Sequence, residues 1–278
     1  MTKRRSRLAN PDDARFIDGI FNYCDRWCER CSFTSRCRLY SMEQEDGFDH
    51  EAQDINSDAF WDRLSSIFKQ THEMISEIAA EQGIDLDALD TAEVEQEENR
   101  RRAYSESHPL AQSAEHYIKL VNEWFEREYS DSEQLPDTYP ARGDLPLVDF
   151  DAQDRATEIQ DAVAVIRWYE FQIAVKITRG LIRDEIEEYD DDEEADEYST
   201  GSPRQKDSDG SAKVALIGME RSIGAWARLR EFLPAKSDSI LPIILHIEQL
   251  RRATEQEFPK AQSFVRPGFD EAPDRFVS

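Results

Sequence analysis

Apolar residues recur along this chain at intervals of three and four, the period of a helix with one buried face, and almost nowhere at intervals of two. Phe60, Leu64, Ile67, Phe68, Thr71, Met74, Ile75 and Ile78 form a first stripe. Ser57 or Asp58 can cap its start, and Gly83 stands where such a helix would stop. A second stripe runs through Leu110, Ala114, Tyr117, Ile118, Val121, Trp124 and Phe125, with Pro109 in its first turn, where a missing N–H costs little. The third and longest carries Ile159, Val163, Ile166, Ile173, Ile177 and Leu181 on one face, widened by Val165, Trp168, Tyr169 and Val175, which predicts a central helix. Leu216, Met219, Ile223, Trp226, Leu229 and Leu233 make a fourth stripe. Ile240, Ile243, Ile244, Ile247, Leu250, Thr254 and Phe258 make a fifth. The best strand pattern, Leu145 to Phe150, is short.

Amphipathic helices joined by simple connections bury their stripes against one another. The expected fold is therefore all-α, an antiparallel bundle of four or five helices over residues 41–260, preceded by a cysteine-rich module at 1–40. A loop rich in Pro and Asp is expected near 130–149. Asp184 to Glu197 holds 11 acidic residues in 14 positions, and Tyr198 to Ser211 has linker composition. Together they predict a disordered acidic insertion near 188–212. Residues 261–278 read as an extended tail.

All four cysteines of the chain fall between Cys24 and Cys37, as C-x3-C-x2-C-x5-C. Cysteines used only as small apolar residues would be scattered over the helices, so the clustering points to a bound metal or cluster held by Cys24, Cys28, Cys31 and Cys37. A thiol redox site or inert packing is the competing reading. The spacing bears on the metal. If one helix continues through Cys24, Cys28 and Cys31, the thiolates share a face but spread over about 10 Å of axis. Zinc needs its sulfurs within roughly 4 Å of one another, whereas a four-iron, four-sulfur cluster (4Fe-4S) accepts wider spacing. If the segment is a loop or knuckle, zinc is easily held by the Cys28-x2-Cys31 pair and its neighbours. Arg26, Arg30, Arg36 and Arg38 are placed to offset the negative charge of a four-thiolate centre. Phe21, Tyr23, Trp27, Phe33 and Tyr40 are placed to keep water from it.

Two local resemblances follow from these residues. Cys28-x2-Cys31-x5-Cys37 resembles the end of the cluster loop of iron–sulfur DNA glycosylases, although Cys24-x3-Cys28 has a shorter first gap than that family and no helix-hairpin-helix precedes it. Cys24-x3-Cys28-x2-Cys31 is similar in spacing to the radical-SAM cysteine motif, with Glu29 where that family usually has an aromatic residue. Both imply cluster chemistry and neither implies an activity here. Phe16 to Tyr40 also resembles the N-terminus of uncharacterised bacterial proteins, which implies no function.

Charge narrows the rest. The 278 residues carry a net −26, with +4 in residues 1–38 and −30 in residues 39–278. Such a body repels phosphate backbones, which argues against nucleic acid and for a basic protein partner. The ten glycines include no nucleotide-cradling spacing. No apolar run suggests a signal peptide or a membrane span, so a cytoplasmic protein with reduced thiols is expected. His50, His72, His108, His116 and His246 lack the spacing of a zinc-protease or di-iron site, and only His50 lies near enough in sequence to compete as a ligand. No catalytic constellation stands out. The expected function is a metal-binding helical protein whose cluster serves electron transfer, sensing or structure. The alternative is a zinc-stapled acidic adaptor.

Overall fold

The computed structural model describes residues 14–45, 57–86, 91–129, 150–190 and 205–270. Among them there is no strand. The chain falls into two compact units, one made of Met1–Ile17 and Cys28–Arg100, the other of Asp18–Trp27 and Arg101–Ser278.

The first unit contains α1 (Arg38–Glu45) and α2 (Asp58–Gln82). The ends of α2 lie where the sequence places them. Ser57 Oγ accepts the Phe60 N–H at 3.1 Å. Gly83 takes the left-handed conformation (φ 69°), with its own N–H on the Ala80 carbonyl and the Ile84 N–H on the Ala79 carbonyl. That is the crossed pair of bonds that closes a helix at glycine. The apolar stripe, however, does not sink into a core. Ile67 is 50% exposed, Phe68 66%, Met74 47% and Ile75 50%, and Ala79 alone among the residues of α2 is buried.

α3 (Ala92–Ser107) begins in the first unit and runs across the boundary after Arg100. No stripe marks it. Strong helix formers fill it, Glu93 and Glu95 favour its N-terminal end, and Arg100 pairs with Glu97 at 2.6 Å.

In the second unit, α4 (Pro109–Trp124), α5 (Phe150–Asp190), α6 (Asp207–Phe232) and α7 (Ser237–Glu257) form a connected set. α5 packs on α4 and α6, and α7 packs on α4 and α6. The four stripes predicted for these helices meet there. Ile166, Tyr169, Ile173 and Ile177 of α5 are sealed from solvent, as are Met219, Trp226 and Leu229 of α6, Tyr117 and Trp124 of α4, and Ile240 and Ile247 of α7. Val175, expected to widen the buried face of α5, is instead 61% exposed.

Two segments differ from their composition. α6 starts at Asp207, inside the stretch that reads as linker, and Ser208, Asp209, Gly210, Ser211 and Ala212 are buried. Small residues serve here for close packing. A Cβ on Gly210 would lie 2.4 Å from the Tyr23 ring and 2.7 Å from Phe264. Arg179 of α5 holds Asp207 at 3.0 Å, fixing the start of α6 to its neighbour. Past α7 the chain does not extend away as far as residue 270. Phe258, Ala261 and Phe264 are buried, and Lys213 pairs with Asp270 at 2.8 Å. The loop expected at 130–149, the acidic run at 191–204 and residues 271–278 lie outside the described residues.

A fully buried phenol lies at the centre of this unit. Tyr117 Oη accepts the Trp226 Nε1–H at 3.1 Å, and burial pushes its pKa up to about 12, with the Trp226 hydrogen bond opposing only part of that rise. Its folded value thus exceeds the unfolded value of about 10, so its contribution to stability is complete below pH 10 and is lost as pH rises to 12. Burial raises the Tyr169 phenol in the same direction. The unfolding free energy from urea titration is therefore expected to hold steady up to about pH 9.5 and then to fall by up to roughly 1.4 kcal/mol per pH unit for each such tyrosine. Tyr117→Phe should flatten that fall, and an unchanged slope would contradict the assignment.

Candidate functional site

The cysteine segment is built from short turns. In the second unit, Gly19 adopts φ 68° and opens a 3-10 turn at Ile20–Tyr23, with Ile20 buried beneath it. Cys24 follows in extended conformation, half-buried. Its thiol donates to the Phe21 carbonyl at 3.5 Å. Burial pushes that thiol above its ordinary range, while a backbone hydrogen bond from Arg26 and the charges of Arg26 and Lys176 favour its thiolate. Lys176 is itself 9% exposed, and its ammonium is driven below the usual lysine range by burial and by Arg179.

Arg26 stands at φ 58°, the left-handed region that a non-glycine residue occupies at a cost of roughly 1–2 kcal/mol. What holds it there is an anchor on either side. The Asp25 carboxylate accepts the Tyr169 hydroxyl at 2.5 Å and an N–H of Arg221. The Asp25 carbonyl accepts Trp168 Nε1–H at 3.0 Å and the Gln172 amide. Trp27 lies flat on Trp168, with ring centroids 4.8 Å apart at 17°, and meets Tyr169 edge-on. Three residues of α5, Trp168, Tyr169 and Gln172, and one of α6, Arg221, thus fix the backbone next to Cys24.

In the first unit, Cys28–Arg30 is another 3-10 turn, and the Cys31 N–H closes on the Cys28 carbonyl at 3.1 Å. The Phe33 N–H points at Cys31 Sγ at 3.4 Å. A third turn, Thr34–Arg36, ends on Cys37, whose N–H bonds the Thr34 carbonyl and whose carbonyl accepts the Ser41 N–H at the start of α1. The Ile17 N–H bonds the Arg36 carbonyl at 3.0 Å, tying the segment to the chain before it. Cys28, Cys31 and Cys37 are half-buried and form no disulfide.

Two features therefore stand out. A helix does not continue through Cys24, Cys28 and Cys31. Cys24 and Cys31 each receive on sulfur the backbone N–H of the residue two positions on. Amides so placed stabilise a thiolate and lock its direction. Donor chemistry of this kind fits a soft metal centre. Among the described residues, no three His, Cys, Asp or Glu side chains are grouped so as to hold a metal ion.

The surrounding residues divide. Arg26 and Arg30 are exposed, Arg36 and Arg38 half-buried, and Arg38 lies over the Phe16 ring at 5.4 Å. Tyr23 packs against Phe264, with centroids 4.6 Å apart. The Asp25 anchor escapes a reading of the sequence, which assigns Trp168 and Tyr169 to core packing. Its only trace there is an acidic residue within the cysteine window. His50 lies outside the described residues. His108 caps α4, with Nδ1 accepting the Leu110 N–H, and His116 meets His246 edge-on at 4.9 Å.

Among the described residues no helix is long and apolar enough to cross a membrane. Comparison with protein-family models, with curated proteins and with solved structures finds no match.

Proposed function

We propose that this chain is a metal-binding helical protein in which Cys24, Cys28, Cys31 and Cys37 hold one inorganic centre. The observation that carries the reading is the confinement of every cysteine to one window of 14 residues, supported by the amides directed at the sulfurs of Cys24 and Cys31. Zinc suits the turns better than a cluster does. An unbroken helix through Cys24, Cys28 and Cys31 would favour a four-iron, four-sulfur cluster, and the segment is instead a series of short turns. The cluster remains the second reading, favoured by the aromatic side chains and arginines along the segment. Zinc would supply a cross-link that orders the N-terminal segment, and a cluster would supply an electron-transfer or sensing centre.

Binding then draws the thiols together, so metal uptake and ordering of the segment are one equilibrium. We read α4 to α7 as the antiparallel bundle that supports this module, which their mutual packing favours. The acidic body, −30 over residues 39–278, suits a basic protein partner in the cytoplasm.

Anaerobic purification of the full chain followed by elemental analysis and absorption spectroscopy tests this. Colourless protein with one zinc per chain is the expected result. Brown protein with about four irons per chain would establish the cluster instead. Protein free of both metals, and unable to take up either under reducing conditions, would overturn the proposal.

A further inference from the structure

The apolar face of α2 has no described element of its own unit packed along it, yet it is long and regular. Phe60, Leu64, Ile67, Thr71, Met74 and Ile78 follow one another at alternating steps of four and three, the seam of a coiled coil. The two rows flanking that seam differ sharply. On one side stand Trp61, Phe68 and Ile75, all large, apolar and about half exposed or more. On the other stand Arg63, Gln70 and Glu77, all polar.

This asymmetry selects an occupant. When two such helices pair in parallel, each flanking row meets the opposite row of its partner, which would set Arg63 against Phe68 and Gln70 against Ile75. When they pair antiparallel, each row meets its own kind. We propose that α2 is a self-association surface on which two copies of this chain pair antiparallel, about a two-fold axis near Lys69. Phe68 then meets Phe68 of the second copy, and Trp61 meets Ile75. In the seam, Phe60 faces Ile78, Leu64 faces Met74 and Ile67 faces Thr71. On the polar side Gln70 faces itself and Arg63 faces Glu77, so opposite charges meet twice.

The area is sufficient for a weak dimer. Six large side chains about half exposed offer on the order of 600 Å² of apolar surface per copy, somewhat below the roughly 800 Å² per partner of a standard interface. The acidity of the chain, including the net −3 of α2 itself, opposes association of two copies, and the apolar rows have to outweigh it.

Sedimentation of the full-length, reduced protein from about 1 to 100 μM, the range suited to an interface of this size, tests the proposal. A reversible monomer–dimer equilibrium is expected. Ile67→Gln combined with Phe68→Gln keeps good helix formers in place and should weaken the dimer at least about tenfold, with far-UV circular dichroism unchanged. Arg63→Glu alone and Glu77→Arg alone should each weaken it about threefold to tenfold, and the two together should restore it. Cys28→Ser should leave it intact, which separates this equilibrium from metal binding. A protein monomeric throughout this range would overturn the proposal and leave the face to a different chain. A dimer untouched by the two glutamines would place the interface elsewhere, and a charge swap that fails to restore would overturn the antiparallel pairing.

Discussion

Trp226→Ala is expected to lower the stability of the second unit by about 3–5 kcal/mol, the cost of emptying a large aromatic site in a packed core. Trp226, in the C-terminal third of α6, is sealed from solvent. Its ring meets Trp124 edge-on at 5.0 Å and Phe125 at 5.9 Å, and its Nε1–H is the hydrogen bond to Tyr117. Truncation therefore removes three things together. Two ring contacts go, a cavity opens between α4 and α6, and a buried phenol loses its donor. A domain of this size has only about 5–15 kcal/mol in reserve, so the variant should unfold well below the wild-type urea midpoint. Trp226→Phe keeps most of the volume and isolates the polar part, and a loss of about 1–2 kcal/mol is expected. A shift under 1 kcal/mol for the alanine variant would mean that this tryptophan is not packed as described.

The second large effect concerns the thiols. Cys28→Ser should abolish stable metal binding, with residual metal after dialysis against a chelator below about a tenth of the wild-type content. A serine hydroxyl is neither ionised at neutral pH nor a soft donor, so a site built for four thiolates loses one ligand outright. Structural zinc contributes on the order of 10 kcal/mol of binding free energy in small sites, which leaves much to lose. The core around Trp226, which contains no cysteine, should melt as in wild type. If Cys28 were only a half-buried filler, serine would cost under about 1 kcal/mol and leave the metal content where it was.

Sequence pattern locates elements better than it locates what covers them. Ser57 and Gly83 bound α2 because capping and left-handed glycine are local chemistry. That the stripe between them stays exposed is a tertiary fact, and periodicity carries no trace of it. α3 is missed for the opposite reason. Its stability comes from helix formers and Glu97–Arg100 pairing, which leave no stripe. The start of α6 reads as linker because serine, aspartate and glycine are also the residues of close packing, and only the neighbouring Tyr23 and Phe264 rings reveal which use applies. The cysteine window is legible since its four residues are neighbours in sequence. The anchor that fixes its first part is not, because Tyr169, Gln172 and Arg221 lie 144, 147 and 196 positions from Asp25. The left-handed Arg26 depends on that anchor and is equally invisible to composition.

X-ray absorption at the metal edge of the full-length protein, purified without oxygen, counts the sulfurs directly. Four sulfur scatterers at about 2.3 Å around the bound metal are predicted. A shell of nitrogen and oxygen, or fewer than four sulfurs, would contradict a centre held by Cys24, Cys28, Cys31 and Cys37.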